Sequence, residues 1–441
     1  MVSTKPAKGT RDLLPAAARR RQYIVDTIRS VYEQHAFEPL STPSFERLDT
    51  LMGKYGDEGD QLIFRILKRG ANLVRALAGP EASQDTLADL GLRYDLTVPL
   101  ARVVAAYQND IPKYFRRYQI APVWRADRPQ KGRFREFTQC DADIVGCESI
   151  VADAEILSCM ATALKRLGFD DAVIRVNHRD ILFGIIEAAG IAPELEGTAL
   201  VAVDKLDKIG WDAVTTELLE RGVTAQSAAR LREILEVGGG LEGLAESLED
   251  SARGRKGVAD LNELFALADS AVGTDLVQFD PSLARGLSYY TGPIFEAVHP
   301  KLNGSIAGGG RYDTLVGMFL GRDVPAVGFS LGLDRLEAVM EELELFPAAP
   351  SGPDALVAFM GDATVSVALA TELRAAGLCV DVFPEAAKFK KQFSYAQEVG
   401  ARFLLMVGDS EVAAGTVTVK DLRSREQAQV PRADVAQHLR Q

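Results

Sequence analysis

The stretch from Val123 to Gly146, VWRADRPQKGRFREFTQCDADIVG, constrains the fold more than any other part of this chain. From Phe137 onward the residues alternate with the two-residue period of a strand. Gln139, Asp141 and Asp143 fall on one face, and Thr138, Cys140, Ala142 and Ile144 on the other. A strand that aligns an amide and two carboxylates cannot bury that face in an apolar core, because unpaired carboxylates are costly to desolvate. It suits the floor of a polar site. Just before it the chain is basic. Lys113, Arg116, Arg117, Arg125, Arg128, Lys131, Arg133 and Arg135 stand against one acid, Asp127, in a chain of formal net charge −12. Arginine forks match phosphate oxygens, and Phe134 and Phe137 offer faces on which a base can stack. By density alone, the arginine run reads equally well as a solvated basic hairpin.

With 441 residues, 47% hydrophobic and 25% charged, the chain has material for two or three domains with full cores. Its opening, MVSTKPAKGTRDLLP, lacks the apolar segment of a signal peptide, and no run is long enough to span a bilayer, so a cytoplasmic protein is expected. Cys140, Cys147, Cys159 and Cys379 form no CxxC pair and read as free thiols in a reducing compartment. His35, His178, His299 and His438 make no metal-ligand spacing, so no protein-built zinc site is expected. The net acidity argues against a general DNA-coating protein and leaves local nucleic-acid contacts open.

Periodicity predicts an amphipathic helix over 16–36 and another over 153–167, ending at Gly168, then a strand over 172–177. Residues 92–98 alternate like a second polar-faced strand, with Arg93, Asp95 and Thr97 on one side. Pro99 then ends it or opens a helix over 100–108. From 180 to 272 the chain turns rich in Ala, Leu and Glu, as in an inserted helical module. Residues 285–331 return to strands and glycines, and a helix follows over 332–344. FPAAPSGPD, 346–354, is a Pro-rich linker. Beyond it ALVAFM, LCVDVF, RFLLMV and TVTVKDL alternate with helices over 364–376 and 388–399, which predicts a small α/β domain with a mixed sheet.

Two further segments carry chemistry. In ARGLSYYTGPIFE, 284–296, Arg285 can clamp an anion, and Tyr289 and Tyr290 offer hydroxyls; taken alone the segment is also an ordinary strand with core aromatics. In SIAGGGRYD and VPAVGFSLGLDRLEAV, glycines allow close backbone approach, and Arg335 falls in the first turn of a helix, where the dipole favours an anion. Neither GxxxxGK[ST] nor GxGxxG is present, so neither common nucleotide fold is indicated.

Taken together and in order, these segments resemble the class II aminoacyl-tRNA synthetases, and within that class the histidyl-tRNA synthetases. KGTRDLLP (8–15), Pro43 in PLSTPSFE (motif 1), LRYDLTVPLAR (92–102), the 123–146 stretch (motif 2), ARGLSYYTG (284–292), AGGGRYD (307–313) and AVGFSLGLDRL (326–336, motif 3) all carry it. The resemblance implies an α+β catalytic domain over 1–179 and 273–345, with an antiparallel sheet flanked by helices. It implies a helical insertion over 180–272 lying over the tRNA acceptor arm, and an anticodon-binding α/β domain with a mixed sheet over 355–441. It implies activation of L-histidine by ATP, with Mg²⁺ carried by the nucleotide and no zinc, transfer to tRNA(His), and a homodimer through the region of Pro43.

It also implies roles. Arg125 holds the α-phosphate and the amino-acid carboxylate, Asp127 contacts the adenine side, Arg133 reaches the γ-phosphate, and Phe137 and Arg335 sandwich the base. Asp95, Thr97 and Gln139 take the α-amino group, Asp143 and Tyr290 read the imidazole, Tyr289 lines the pocket, and Arg285 bridges carboxylate and phosphate. Arg128, Gln130 and Lys131 face the acceptor end, and Lys388, Lys390 and Lys391 the anticodon arm. Ser288 departs from the family's RGLDYYTG pattern. The alternative is a synthetase-like, histidine-sensing regulatory subunit of ATP phosphoribosyltransferase; such proteins characteristically lack the C-terminal domain and lose motif residues. Synthetases for threonine or proline and a plain RNA-binding adaptor fit the segments less well.

Overall fold

The computed structural model describes residues 2–53, 56–79, 83–130, 132–272, 276–284, 289–301, 304–347 and 352–440. It divides into two units, Met1–Leu345 and Phe346–Gln441.

In the first unit, α1 (Pro15–Gln34) opens with a proline at its first position and buries Ile24, Ile28, Val31 and Tyr32 at helical spacing. Three short strands, β2 (Phe45–Arg47), β3 (Arg65–Leu67) and β4 (Ala88–Leu92), make a small antiparallel sheet with β4 in the middle. The main sheet has eight strands among the described residues. They are β1 (Glu38–Pro39), β5 (Phe115–Trp124), β6 (Glu136–Val145), β7 (Val173–His178), β8 (Val277–Phe279), β9 (Pro293–Val298), β10 (Ala307–Arg311) and β11 (Ala326–Gly332), in the order β1-β5-β6-β11-β10-β9-β7-β8. Its centre is antiparallel, as expected; the outer pairs β1–β5 and β7–β8 are parallel.

Helix α2 (Thr97–Ala106) corrects the reading of 92–98 as a strand. The strand stops at Leu92. Asp95 then accepts the Val98 N–H at 3.0 Å, and Pro99 stands in the first turn, so the chain enters a helix three residues earlier than expected. Arg93 does not share a face with Asp95 and Thr97. Its guanidinium turns to the carbonyls of Thr42, Pro43 and Pro122 at 2.7–3.2 Å.

Helix α3 (Val151–Arg166) packs against β11 and carries Asp153, wholly buried, into a pair with Arg311 of β10. The same guanidinium donates to the carbonyls of Cys147 at 2.9 Å and Ser149 at 3.2 Å. Helices α4 (Arg179–Ala188) and α5 (Ala252–Val272) cross so closely that a Cβ on Gly184 would sit 2.7 Å from Gly254 Cα. Between them run Glu196–Val203, Leu206–Glu220, Ala225–Leu235 and Gly240–Ser247, the helical segment that composition foretold. Because α5 also packs on α3, this segment is fastened to the core of the unit. Helix α6 (Leu333–Glu342) follows β11 directly.

The second unit has the mixed sheet β13-β12-β14-β15-β16, from β12 (Ala355–Val357), β13 (Val380–Val382), β14 (Phe403–Met406), β15 (Thr416–Asp421) and β16 (Gln427–Pro431). Helices α7 (Ala363–Ala375) and α8 (Phe389–Glu398) connect the parallel strands. Its edge strand β16, mostly exposed and polar, was not foreseen from the sequence.

Burial pushes Asp153 up to about 6 although Arg311 opposes the shift, so desolvation outweighs the attraction within this pair. Asp153→Ala is expected to cost about 3–5 kcal/mol by stranding a buried guanidinium. Asp153→Ala with Arg311→Met is expected to recover much of that loss. Urea unfolding midpoints of the two variants measure both.

Candidate active site

A cleft of about 970 Å³ opens over the face of β6 that carries Gln139, Asp141 and Asp143. Register fixes what surrounds them. On one side Arg117, Gln119 and Ala121 of β5 stand opposite Asp143, Asp141 and Gln139. On the other, Gly328, Ser330 and Gly332 of β11 stand opposite the same three. The polar floor is therefore a strand in the middle of the sheet, with both neighbours adapted to it.

Asp143 is the most constrained member. Its Oδ1 accepts the Tyr312 hydroxyl at 2.5 Å, and Arg117 Nη2 lies 2.7 Å from its Oδ2. Arg117 is completely buried, and it also donates to the Leu96 carbonyl at 3.3 Å. Arg117 therefore belongs neither to an anion-holding hairpin nor to a solvated one. It is a buried counter-ion beside Asp143 on the same face of the sheet, and Arg116 turns aside to Glu155 at 3.0 Å. Gly328 leaves space for the carboxylate, since a Cβ there would lie 2.0 Å from Asp143 Oδ1. Gly310 does the same for Tyr290, whose ring would be 2.9 Å from an added Cβ. Tyr289 and Tyr290 stack tilted at 4.9 Å between centroids, and Tyr289 meets Tyr312 edge-on at 6.0 Å. These tyrosines precede β9 and are not part of a strand, contrary to the strand reading of their segment.

At the other end the cleft is arginine and aromatic. Arg125 lies between Tyr94 and Phe137, its guanidinium carbon 4.2 Å and 5.1 Å from the two ring centres, and its Nε donates to the Tyr94 carbonyl at 3.1 Å. Arg133 folds back on Asp127 at 2.8 Å. Arg335 stands in the first turn of α6, with Nη1 bonded to the Ser305 carbonyl. That turn is held by the N-terminal segment. Asp334 accepts from Arg11, Arg21 and the Thr138 N–H, and Glu337 from Arg11 and Arg21. Arg11 also lies over the Phe134 ring at 4.2 Å.

Of the residues expected to form a site, Asp95, Thr97, Arg125, Asp127, Gln130, Arg133, Phe137, Gln139, Asp143, Tyr289, Tyr290 and Arg335 all line this one cleft. Arg128 is exposed and is not among its lining residues. Arg285, Ser288 and Lys131 lie outside the described residues. Lys388, Lys390 and Lys391 are exposed at the start of α8 in the second unit, and Lys391 pairs with Glu385. Sequence reasoning assigned no role to Arg117, Tyr312 or Ser330. The Gln130–Arg133 turn, counted back symmetrically, would have put Ile120 opposite Asp143; the register that runs from Trp124–Glu136 puts Arg117 there instead.

Comparison with known proteins gives the family. The profile described as histidyl-tRNA synthetase matches residues 9–336. The chain belongs to the histidyl-tRNA synthetase family. The anticodon-binding domain profile matches residues 355–441. The chain is 43% identical to the histidine–tRNA ligase of Cytophaga hutchinsonii, covering 98% of each, and 43% identical to that of Bacteroides fragilis, covering 97% of each. The crystal structure of histidyl-tRNA synthetase from Nostoc sp. PCC 7120 is similar with a TM-score of 0.84 at 30% identity, covering 100% of this chain and 99% of that one. Among the described residues no helix is long and apolar enough to cross a membrane, and no three His, Cys, Asp or Glu side chains gather as a metal site.

The floor is electrostatically costly without a ligand. Burial, with Asp143 alongside and Arg117 opposing, pushes Asp141 up to about 7; burial raises Asp143 too. A carboxyl whose folded pKa exceeds its unfolded value loses its contribution to stability as pH rises from about 4, the unfolded value, through the folded value of about 7. Asp141→Asn does not titrate. Without ligands, its stability relative to the parent is expected to rise between about pH 4 and pH 7 and to level off above. Urea unfolding of both proteins at pH 5, 6, 7 and 8 tests the sign.

Proposed function

We propose that this chain activates L-histidine with ATP and transfers it to the 3′ end of tRNA(His). The full-length likeness to histidine–tRNA ligases, joined to a cleft with an acidic floor at one end and an arginine–aromatic clamp at the other, carries this reading. The two ends suit two substrates. Neutral imidazole presents one N–H donor and one acceptor. Asp143 has lone pairs left beyond its bond from Tyr312, and Tyr290 has a hydroxyl, so together they can satisfy both ring nitrogens. A pocket that hydrogen-bonds the ring in this way rejects apolar amino acids by a factor of about 10⁴ or more, and no editing step is needed. Asp95, Thr97 and Gln139 would hold the α-ammonium.

At the other end Arg125 would bind the α-phosphate and the substrate carboxylate, with Phe137 and Arg335 enclosing the adenine and Asp127 beside it. Arg133 would leave Asp127 for the γ-phosphate, and Arg285 would bridge carboxylate and phosphate. The carboxylate oxygen of histidine attacks the α-phosphorus and pyrophosphate leaves; the terminal ribose hydroxyl of the tRNA then attacks the adenylate carbonyl and AMP leaves. The protein's contribution is positioning and charge stabilisation. No acidic cage gathers among the described residues, so a Mg²⁺ travelling with the nucleotide would be held mainly by phosphate oxygens. No step here runs through it. The second unit would take the anticodon arm through Lys388, Lys390 and Lys391, and Arg128, Gln130 and Lys131 would meet the acceptor end, with phosphate contacts supplying affinity rather than sequence. A homodimer through the region of Pro43 and work in the cytoplasm complete the proposal.

ATP–pyrophosphate exchange with each of the twenty amino acids, without tRNA, is expected to respond to histidine alone. Exchange with none of them would sink the reading. Asp143→Ala is expected to abolish histidine-dependent exchange while ATP still binds. Replacing Lys388, Lys390 and Lys391 with Glu is expected to leave exchange intact and to cut tRNA charging by about tenfold or more.

A further inference from the structure

The segment before α1 lies against the arginine end of the cleft and touches both of its parts. A turn closes at Thr10, whose N–H and hydroxyl both reach the Ala7 carbonyl, at 3.0 and 2.8 Å. It sets Gly9 against the loop between β5 and β6. The Arg135 N–H donates to the Gly9 carbonyl at 2.8 Å, while the Arg135 carbonyl accepts from the Arg125 N–H at 2.9 Å. Gly9 thus adds one more backbone to the end of the hairpin. Its φ of +87° suits glycine, and a Cβ there would lie 2.7 Å from Arg135 Cγ. The Arg135 stem that crosses Gly9 sends its Nε to the Asp127 carbonyl at 3.1 Å, and the Asp127 carboxylate holds Arg133 at 2.8 Å. Two residues past Gly9, Arg11 lies over the Phe134 ring of the same loop at 4.2 Å. Its guanidinium donates to Asp334 at 2.5 Å and to Glu337 at 3.2 Å, at the start of α6. Phe134, Asp334 and Arg335 all line the cleft.

We infer that Gly9 and Arg11 are positioning residues for the nucleotide: they strap the β5–β6 loop to the first turn of α6, so that the two halves of the arginine end meet ATP at a fixed separation. The inference rests on the histidine-activation reading and adds two residues to it. Charge gives the reason. Asp334 and Glu337 are buried, and Arg11 and Arg21 balance them one for one. Without Arg11 a carboxylate charge would stand uncompensated beside Arg335. It would compete for that guanidinium and repel a triphosphate. The acidic floor depends on other contacts. Asp143 is set by Arg117 and Tyr312, and neither of them bonds to the strap among the described residues.

Pyrophosphate exchange on the full chain, with ATP and histidine varied in turn, tests this. Arg11→Ala is expected to raise the KM for ATP by about tenfold, the scale of one hydrogen bond to a charged group. The KM for histidine is expected to move less than about twofold. Arg11→Lys keeps the cation and loses the planar fork, and is expected to recover part of the ATP affinity. Adding Glu337→Gln to Arg11→Ala removes the uncompensated charge, and is expected to bring the KM for ATP back toward the parental value. A purely structural defect would deepen instead, since the second change takes away another contact. Gly9→Ala strikes the other end of the strap and is expected to raise the KM for ATP with little effect on histidine. An unchanged KM for ATP in Arg11→Ala overturns the inference. So does an equal rise in the two KM values, the mark of a generally loosened cleft. Should Arg11→Ala fail to fold, Gly9→Ala carries the same comparison. Absence of histidine-dependent exchange in the parent is a separate result, visible before any variant is made, and would count against the function rather than the strap.

Discussion

The pairing of Arg117 with Asp143 across β5 and β6 is the constraint on which the rest of the cleft depends. A carboxylate in the centre of a sheet must be neutralised or hydrogen-bonded, or it will protonate instead. Here a fully buried guanidinium lies against one oxygen and the Tyr312 hydroxyl against the other. Arg117 comes from the neighbouring strand β5, and Tyr312 follows β10 directly. Gly328 follows from this arrangement, because a side chain on β11 at that position would occupy the place of the carboxylate. The same logic extends along β6, where Asp141 faces Gln119 and Ser330 rather than apolar neighbours.

The two ends of the cleft are held by different means. The acidic end is built into the sheet, and its side chains are set by strand register. The arginine end hangs on the loop between β5 and β6 and on the first turn of α6, where register has no hold. There, ion pairs do the fixing. Arg11 and Arg21 converge on Asp334 and Glu337, and Asp334 also takes the Thr138 N–H. The carboxylates are buried, so solvent screens them less than it screens surface pairs. Arg335 sits one residue past Asp334, and its orientation is inherited from this clasp. The conspicuous basic residues face the cleft, while the residues that keep them in place are acids near the start of a helix.

Much of this was legible in the sequence where the signal is local. The alternation of Gln139, Asp141 and Asp143 is a two-residue period carried by polar side chains, which few other arrangements tolerate. The helical segment between α4 and α5 was readable from composition alone. The strand expected over 92–98 failed because seven alternating residues fit a strand and also fit a strand, a turn and the start of a helix. The difference is made by one hydrogen bond, from the Val98 N–H to Asp95. Tyr312 and Ser330 were opaque for another reason. Their partners on β6 lie far upstream, and nothing in AGGGRYD or GFSLG points there until the sheet order is known. Arg117 was hidden inside a run of basic residues, and nothing local in that run distinguishes it from its neighbours.

The order of strands has a consequence for how such a protein comes into being on the ribosome. β6 is completed by β11, and Tyr312 is 169 residues downstream of the carboxylate it caps. The helices from α4 to α5 are made in between and can pack among themselves through local contacts. During that interval β6 is an unpaired edge with buried-type acids on one face and an apolar row on the other. Such edges invite pairing with other chains. The glycines of β10 and β11, needed in the finished cleft for close approach, also leave those strands weak in intrinsic β-preference. Closure of the sheet is then a late, long-range event, and the ability to hold a small ligand becomes a reporter that the whole first unit has finished folding.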